Sequence, residues 1–122
     1  MEKNTKKIKV CIVINDFLVG GAQKLIADML TVSNGDIEYS LITLFDFPGK
    51  SNFYNLVPSE VPIYKMSWKG IKDISSWISL AKIIAKIKPN VVVSHLFFAN
   101  TVSRILKPFF AFKVITVEHN TY

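Results

Sequence analysis

The segment Ile8–Asn15 constrains the fold more than any other part of the 122-residue chain. Its sequence, IKVCIVIN, is almost continuously apolar and rich in β-branched side chains. A strand that is buried on both faces has this pattern, whereas a strand with one solvated face alternates apolar and polar residues. Strands buried on both faces belong to parallel sheets covered by helices on each side. The segment therefore predicts an α/β fold.

The rest of the chain alternates strand-like and helix-like patterns, as such a fold requires. Four further strands are predicted, at Tyr39–Phe45, Val61–Met66, Val91–Leu96 and Lys113–Glu118. Helices are predicted at about Ala22–Val32, from a cap at Asp73 or Ser75 to about Lys88, and at about Ala99–Leu106. Pro62 indicates that the third strand lies at an edge. We expect a doubly wound, mainly parallel sheet of about five strands, Rossmann-like, in the order 3-2-1-4-5.

Both longer helices carry apolar residues at helical spacing, which predicts the face that each one buries. In the first helix this stripe is Leu25, Ile26, Met29 and Leu30. In the second it is Ile74, Trp77, Ile78, Ala81, Ile84 and Ala85, widened by Leu80, Ile83 and Ile87. The opposite, polar face of the second helix is predicted to hold Ser75, Ser79, Lys82 and Lys86.

The amino-acid composition limits the kinds of protein to which the chain can belong. Half of the residues are apolar, which is enough for one buried core, and the single cysteine, Cys11, lies inside the first strand. A lone buried thiol suits the cytoplasm. The net charge of +6 either favours anionic partners, such as phospholipid headgroups or phosphorylated substrates, or marks a solvated lysine face. Residues 96–118 are apolar but hold three cations and Pro108, so we do not expect them to span a membrane.

The predicted strand order reverses between the first and fourth strands, and ligands of such sheets bind at the carboxyl ends of the strands there. Three segments converge on that point, residues 16–21, 94–100 and 118–120. Gly20-Gly21 opens a helix, so it either lets a ligand approach the free N–H groups or simply forms a tight turn. The loop is neither G-x-G-x-x-G nor a Walker A loop, which disfavours a nucleotide cofactor site.

Both histidines fall on this rim. His119 either hydrogen-bonds a substrate hydroxyl or phosphate or is satisfied by a backbone carbonyl, and His95 is better explained as a packed strand-end residue. Glu118 and Asp16 are candidates for a general base, although a solvated carboxylate is the simpler interpretation of each. No spacing of His, Asp, Glu or Cys predicts a metal site.

Three motifs in this order resemble a known family. They are Gly20-Gly21-Ala22-Gln23, the strand end Ser94-His95, and the run 114–120, VITVEHN. The arrangement resembles the N-terminal domain of family 4 glycosyltransferases of the GT-B fold, over essentially all of the chain from Ile8. In that family the first loop commonly has the sequence Gly-Gly-Ala-Glu. Glutamine at position 23 therefore puts a charge-dependent role of this position in question.

The resemblance implies roles for individual residues. His119 matches the active-site histidine that contacts the donor sugar. Gly20 and Gly21 approach the acceptor and the donor diphosphate. The implied substrate-binding set is Gly20, Gly21, Gln23, His95, Asn100 and Asn120. The implied reaction moves a sugar from a nucleotide sugar to a glycan, a lipid-linked acceptor or a cell-surface polysaccharide, without a metal or other cofactor, in the cytoplasm or peripherally at the inner membrane face.

The family's nucleotide-binding half, with its Arg/Lys pair and Glu-x7-Glu motif, is expected beyond residue 122. Residues 1–122 are thus predicted to be an incomplete, acceptor-side N-terminal domain that is inactive alone. The alternative is a non-catalytic docking or membrane-recruiting subunit of a split glycosyltransferase, with a separate C-terminal polypeptide as partner. A flavodoxin-like or response-regulator module fits less well, because a response regulator needs clustered acidic residues at the end of the first strand and Asn15-Asp16 offers only one, and because no lysine follows the fifth strand. Nucleic-acid binding is not expected, because no aromatic-basic motif accompanies the charge.

Overall fold

The computed structural model describes residues 7–32, 35–70, 72–110 and 112–117. Its five strands are β1 (Ile8–Ile14), β2 (Ile37–Thr43), β3 (Ile63–Lys65), β4 (Val91–His95) and β5 (Lys113–Val117). Its helices are α1 (Gly21–Thr31), α2 (Ile74–Ile87) and α3 (Phe97–Leu106), with short 3-10 helices at Tyr54–Leu56 and Lys107–Phe109. The predicted elements are all present, and their ends differ from the prediction by a few residues at most.

The strands form one parallel sheet in the order β3-β2-β1-β4-β5, which confirms the predicted fold class and strand order. The central strand, β1, pairs with β2 from Ile8 to Ile14 and with β4 from Val10 to Ile14. The short strand β3 lies at an edge, as Pro62 predicts.

Two apolar layers cover the sheet. One side packs on α1 through a cluster that includes Ile12, Ile14 and Ile26. The other side packs on α2 and α3 through a cluster that includes Cys11 and Val13. Successive residues of β1 alternate between the two clusters, and this alternation is the physical reason for its continuous apolar sequence. Burial raises the pKa of the Cys11 thiol to about 12, so the thiol is protonated and unreactive at neutral pH.

The predicted buried faces of two helices are partly wrong. Ile84 and Leu80 of α2 are buried as predicted, but Ile74, Ile78 and Ala85 are exposed, and Ser76 is buried although it was not predicted to be. Nine of the 14 residues of α2 are apolar, so apolar spacing alone does not fix the rotation of the helix about its axis.

One tertiary contact and one local capping bond hold the start of α2 in this orientation. Trp77 packs edge-on against Trp68, with 4.9 Å between ring centroids, and the Asp73 side chain accepts a hydrogen bond from the Ser76 main chain. In α1, Leu25 and Met29 are likewise exposed, and the buried residues are Gln23, Ile26, Ala27 and Leu30. None of the helices in the described part of the chain has the length and apolarity needed to cross a bilayer.

Candidate functional site at the carboxyl edge of the sheet

The carboxyl ends of β1 and β4 lie side by side where the strand order reverses. Ile14 and His95 are register partners, so the chain leaves both strands at the same level. Asn15 links the elements that meet here. Its side-chain Oδ1 accepts from the main-chain N–H of Ala99 at 2.9 Å, and its carbonyl accepts from the N–H of Phe45 at 2.7 Å. One asparagine therefore connects the end of β1 to the residues after β2 and to the first turn of α3.

The glycine loop is braced by a carboxylate–amide pair. The Asp16 Oδ1 accepts from Gln23 Nε2 at 2.9 Å and from the main-chain N–H of Leu18 at 3.1 Å. Gln23 is only 9% exposed, so its amide is held inside the loop. A Cβ atom at Gly20 would lie 2.6 Å from Gln23 Oε1. The backbone of Gly20 is extended, with φ of −174°, and would suit any residue, but a side chain at position 20 would push the Gln23 amide away from Asp16.

The start of α1 is open. Gly20 occupies the N-cap position and offers no side chain to the first-turn N–H groups, and a Cβ at Gly21 would meet no atom within 4 Å. Uncapped N–H groups at a helix N-terminus attract anions, because the donors and the helix dipole act together. This part of the loop can therefore receive an anionic group from solvent.

The loop is also fixed on its inner side. Phe17 is fully buried and packs against the rings of Phe53 and Tyr54. The Tyr54 hydroxyl forms a 2.7 Å hydrogen bond with Thr43 Oγ1 at the end of β2. Burial raises the pKa of Tyr54, so its hydroxyl stays protonated at neutral pH. These contacts hold the Asp16–Gly21 loop at a defined position above the sheet.

The β4–α3 turn contains an unusual backbone conformation. Leu96 has φ of 74° and ψ of 161°, a combination that only glycine adopts readily. Its N–H donates to the carbonyl of Val117 at 3.3 Å, and its carbonyl accepts from the N–H of Asn100 at 2.9 Å. Strain of this kind persists only where surrounding contacts over-determine it, and it is concentrated at functional sites.

Asn100 is the most deeply buried polar side chain of this turn, at 2% exposure. Its Nδ2 donates to the carbonyl of Val117 at 3.2 Å. Its Oδ1 has no hydrogen-bond partner among the described residues. A buried amide oxygen without a partner costs about 1–3 kcal/mol. Its partner is therefore expected from outside the described residues, either from a ligand or from residues 118–122.

His95 is 6% exposed and shares the α1 side of the sheet with its register partner Ile14. Its burial agrees with the interpretation of a packed strand-end residue. The preceding Ser94 lies on the other side, where its Oγ accepts from Ser103 Oγ at 3.2 Å. The two strand-end residues thus anchor β4 to different layers.

The predicted site residues fall into two groups. Gly20, Gly21 and Gln23 lie at the start of α1. His95 is the last residue of the neighbouring strand β4 and Asn100 lies near the start of α3, on the same edge of the sheet. His119, Asn120 and Glu118 lie outside the described residues.

Two contributions were not predicted from the sequence. Asn15 acts as a connector, and Asp16, considered as a general base, accepts hydrogen bonds from Gln23 and Leu18. The sequence feature that could have indicated both roles is the position of Asn15 and Asp16, two polar residues directly after a buried strand. Within the described ranges, no group of three His, Cys, Asp or Glu side chains is placed to hold a metal ion.

No protein-family model matches the chain, and no curated protein aligns with it.

Proposed function

We propose that this chain is the acceptor-side α/β domain of a GT-B glycosyltransferase of the family 4 type. Such an enzyme transfers a sugar from a nucleotide sugar to a glycan, a lipid-linked acceptor or a cell-surface polysaccharide. The observation that carries the proposal is the pairing of an uncapped helix N-terminus at Gly20-Gly21 with a buried, partly unsatisfied amide at Asn100, where the strand order reverses. A glycosyl transfer site needs groups for both a diphosphate and sugar hydroxyls.

The glycine loop supplies the anion-binding part. The first-turn N–H groups of α1 carry the positive end of the helix dipole, and the missing side chain at Gly21 leaves them accessible. A diphosphate or an anionic acceptor fits these donors. The Asp16–Gln23 pair keeps the loop in the shape that exposes them.

Asn100 supplies the hydroxyl-binding part. A carboxamide oxygen accepts one or two hydrogen bonds, and the hydroxyls of a sugar are suitable donors. Sites that place buried polar groups against substrate hydroxyls discriminate strongly, because a wrong ligand leaves those groups unpaired. In this proposal His119 contacts the donor sugar and Asn120 and His95 contribute to substrate binding, and these three roles rest on the resemblance alone.

Donor binding is assigned to a second domain. The 122 residues contain no Glu-x7-Glu spacing, which is the nucleotide-binding motif of the family. We therefore expect the chain alone to bind nucleotide sugars weakly, with a dissociation constant above about 1 mM, and to transfer little or no sugar.

Amide chemical-shift mapping of the ¹⁵N-labelled chain tests the proposal. The chain is titrated with uridine and guanosine diphosphate sugars and with short oligosaccharides. We expect shifts at Gly20, Gly21 and Gln23 and at the side-chain amide of Asn100. Gly21→Ala should weaken the response of the loop by covering the N–H groups.

Gly35→Ala is the matched control, because a Cβ at Gly35 also meets nothing within 4 Å and this glycine is remote from the loop. Chemical-shift changes confined to another edge of the sheet, or no chemical-shift changes at 10 mM ligand, would refute the proposal. Micromolar binding of a nucleotide sugar by this chain alone would contradict the assignment of donor binding to a second domain.

A non-catalytic docking role is the second candidate, and the geometry of β5 favours it. Among the described residues β5 pairs with β4 alone, and Ile115 on this edge is exposed. An open strand edge with an apolar side chain is a template for pairing with another polypeptide. A lack of sugar-dependent shifts, together with a stable complex with a separate Glu-x7-Glu polypeptide, would favour this candidate.

A further inference from the structure

Helix α2 presents a mixed apolar and basic face to solvent. Ile74 is 70% exposed and Ile78 is 52% exposed. Lys82 and Lys86, which follow at intervals of four residues, are exposed as well. Residues at this spacing form one row on a helix, and the row from Ile74 to Lys86 is about 18 Å long. Two isoleucines at the start of the helix thus continue into two lysines.

The loop before α2 extends the basic character. Lys69 and Lys72 are exposed, and a shallow cavity of about 520 Å³ is lined by Lys69, Gly70, Lys72 and Asp73. Asp73 is the one acidic residue between 61 and 117. Its carboxylate already accepts from the Ser75 and Ser76 hydroxyls and from the Lys69 main chain. It is therefore occupied by capping α2 and does not pair with the lysine side chains.

This face is held rigidly. Trp68 is buried and packs edge-on against Trp77, and the Lys69 main-chain N–H donates to Asp73, so the start of the basic loop contacts the first turn of α2. The two isoleucines are exposed, whereas Leu80 and Ile84 of the same helix are buried. Such an arrangement is pre-organised, and binding need not order it at a cost in entropy.

We propose that this surface, made of Lys69, Lys72, Ile74, Ile78, Lys82 and Lys86, docks on a bilayer that carries anionic headgroups. A helix face with a short apolar strip beside lysines has the chemistry of interfacial helices. The isoleucines enter the headgroup boundary, and the lysine stems lie along it with their ammonium groups near the phosphates.

The charge and the shape of this surface argue against a second copy of the chain, or another protein, as its binding partner. A second copy of this chain, packed through the same face about a two-fold axis, would bring eight lysines together without a counter-charge. The row is convex and its apolar part is two side chains, whereas a stable protein interface buries about 800 Å² on each partner. An anionic lipid surface needs neither a groove nor a large apolar area.

Docking in this way also orients the candidate site. Because α2 follows the parallel strand β3, its first turn lies at the carboxyl edge of the sheet, the same edge as the glycine loop. An acceptor linked to a lipid would then reach the site from the bilayer. That last step rests on the proposed function, whereas the bilayer contact does not.

Co-sedimentation of the 122-residue chain with vesicles tests the contact. Vesicles of phosphatidylcholine with about 30% phosphatidylglycerol are compared with vesicles of phosphatidylcholine alone. We expect binding to the anionic vesicles only, and release by 0.5 M salt, where screening is strong. Lys82→Gln/Lys86→Gln should weaken binding about 25-fold, since each lysine at such a surface is worth about a factor of five. Ile74→Ser/Ile78→Ser should weaken it about tenfold or more.

The matched control for loss of charge is Lys7→Gln/Lys107→Gln, which replaces two exposed lysines at the amino edge of the sheet. The matched control for loss of an exposed apolar side chain is Leu25→Ser on α1. All substituted residues are exposed, and thermal unfolding confirms that each variant is folded. Equal losses in the α2 and control pairs, no binding to anionic vesicles, or a dimer that Ile74→Ser/Ile78→Ser dissociates would each overturn the proposal. No sugar is present, so the outcome is independent of the proposed transferase activity.

Discussion

Replacing Gln23 by glutamate tests the structure of the glycine loop most directly. The substitution gives residues 20–23 the sequence Gly-Gly-Ala-Glu, which is common in the family that the chain resembles, and it changes almost no volume. In this chain, however, Gln23 Nε2 donates to Asp16 Oδ1 at 2.9 Å in a largely buried position. Gln23→Glu removes that donor and places a second carboxylate about 3 Å from the first. We expect it to destabilise the loop strongly at neutral pH.

Two energies limit the loss of stability in Gln23→Glu: the repulsion between the two carboxylates, and the cost of keeping one of them protonated at pH 7. Two unit charges about 3 Å apart repel by about 5 kcal/mol at an effective dielectric constant of 20. Retaining a proton on the introduced carboxyl group at pH 7 costs less, about 4 kcal/mol, because its ordinary pKa is about 4.3 and each pH unit costs about 1.4 kcal/mol. Asp16 is partly exposed, which reduces the repulsion further. We expect a loss of about 2–3 kcal/mol in the free energy of unfolding at pH 7.

The pH dependence distinguishes repulsion from simple loss of a hydrogen bond. The introduced carboxyl group has a raised pKa in the folded state, so the folded protein binds more protons than the unfolded protein above about pH 4. The variant should therefore lose stability as pH rises from about 4 to 7, relative to the parent chain. Near pH 4 the loss should fall to about 1 kcal/mol, which is the value of the missing hydrogen bond.

Urea unfolding at pH 4 and pH 7 measures both values. Gln23→Met removes the hydrogen bond without adding charge, and its loss should not change with pH. Met29→Glu adds the same charge at an exposed position of the same helix and should have little effect. Asp16→Asn/Gln23→Glu exchanges donor and acceptor and should recover most of the stability. A Gln23→Glu variant as stable as the parent at pH 7 would show that the two side chains are not adjacent.

Three further outcomes follow from the same structure. Gly20→Ala should cost about 1–2 kcal/mol, because its Cβ would displace the Gln23 amide, whereas Gly21→Ala should be neutral or stabilise by about 0.5 kcal/mol; denaturant titration compares the two. Hydrogen bonds from Ser76 and Ser75 lower the pKa of Asp73 to about 2, so its contribution to stability is present above about pH 4 and is lost as pH falls towards 2. Asp73→Ala should lower the melting temperature at pH 7 and flatten that acid limb, and an unchanged acid limb would contradict the capping role. The Cys11 thiol should resist a disulfide reagent at pH 8 in the folded chain and react fully in urea, and rapid labelling of the native protein would contradict its burial.

The sheet was predictable because each strand carries its own signal. The continuous apolar pattern of β1 and β4 indicates burial on both faces, and the alternation with helices fixes parallel pairing. Right-handed crossovers then leave few strand orders, and Pro62 identifies an edge. These constraints are local or topological, so a single sequence contains them.

Helix rotation was not predictable in the same way. In α2 the apolar residues surround most of the circumference, so not all of them can face the sheet, and the contact of Trp77 with Trp68 is one of those that hold the observed orientation. That contact joins a loop to a helix and has no periodic signature. The exposed pair Ile74 and Ile78 is the consequence, and it forms the apolar part of the surface that we propose for lipid binding.

The candidate site shows the same division between local pattern and tertiary pairing. Gly20-Gly21 is visible as a motif, but the reason for glycine at position 20 is the amide of Gln23, and the reason for that amide is the carboxylate of Asp16. A glutamate at position 23 would need a donor opposite it, which Asp16 cannot provide in its charged form. The glutamine at position 23 is thus matched to the carboxylate of Asp16. If the proposed function is correct, the bond that holds the loop, rather than the charge at position 23, is what keeps the helix N-terminus open to a substrate.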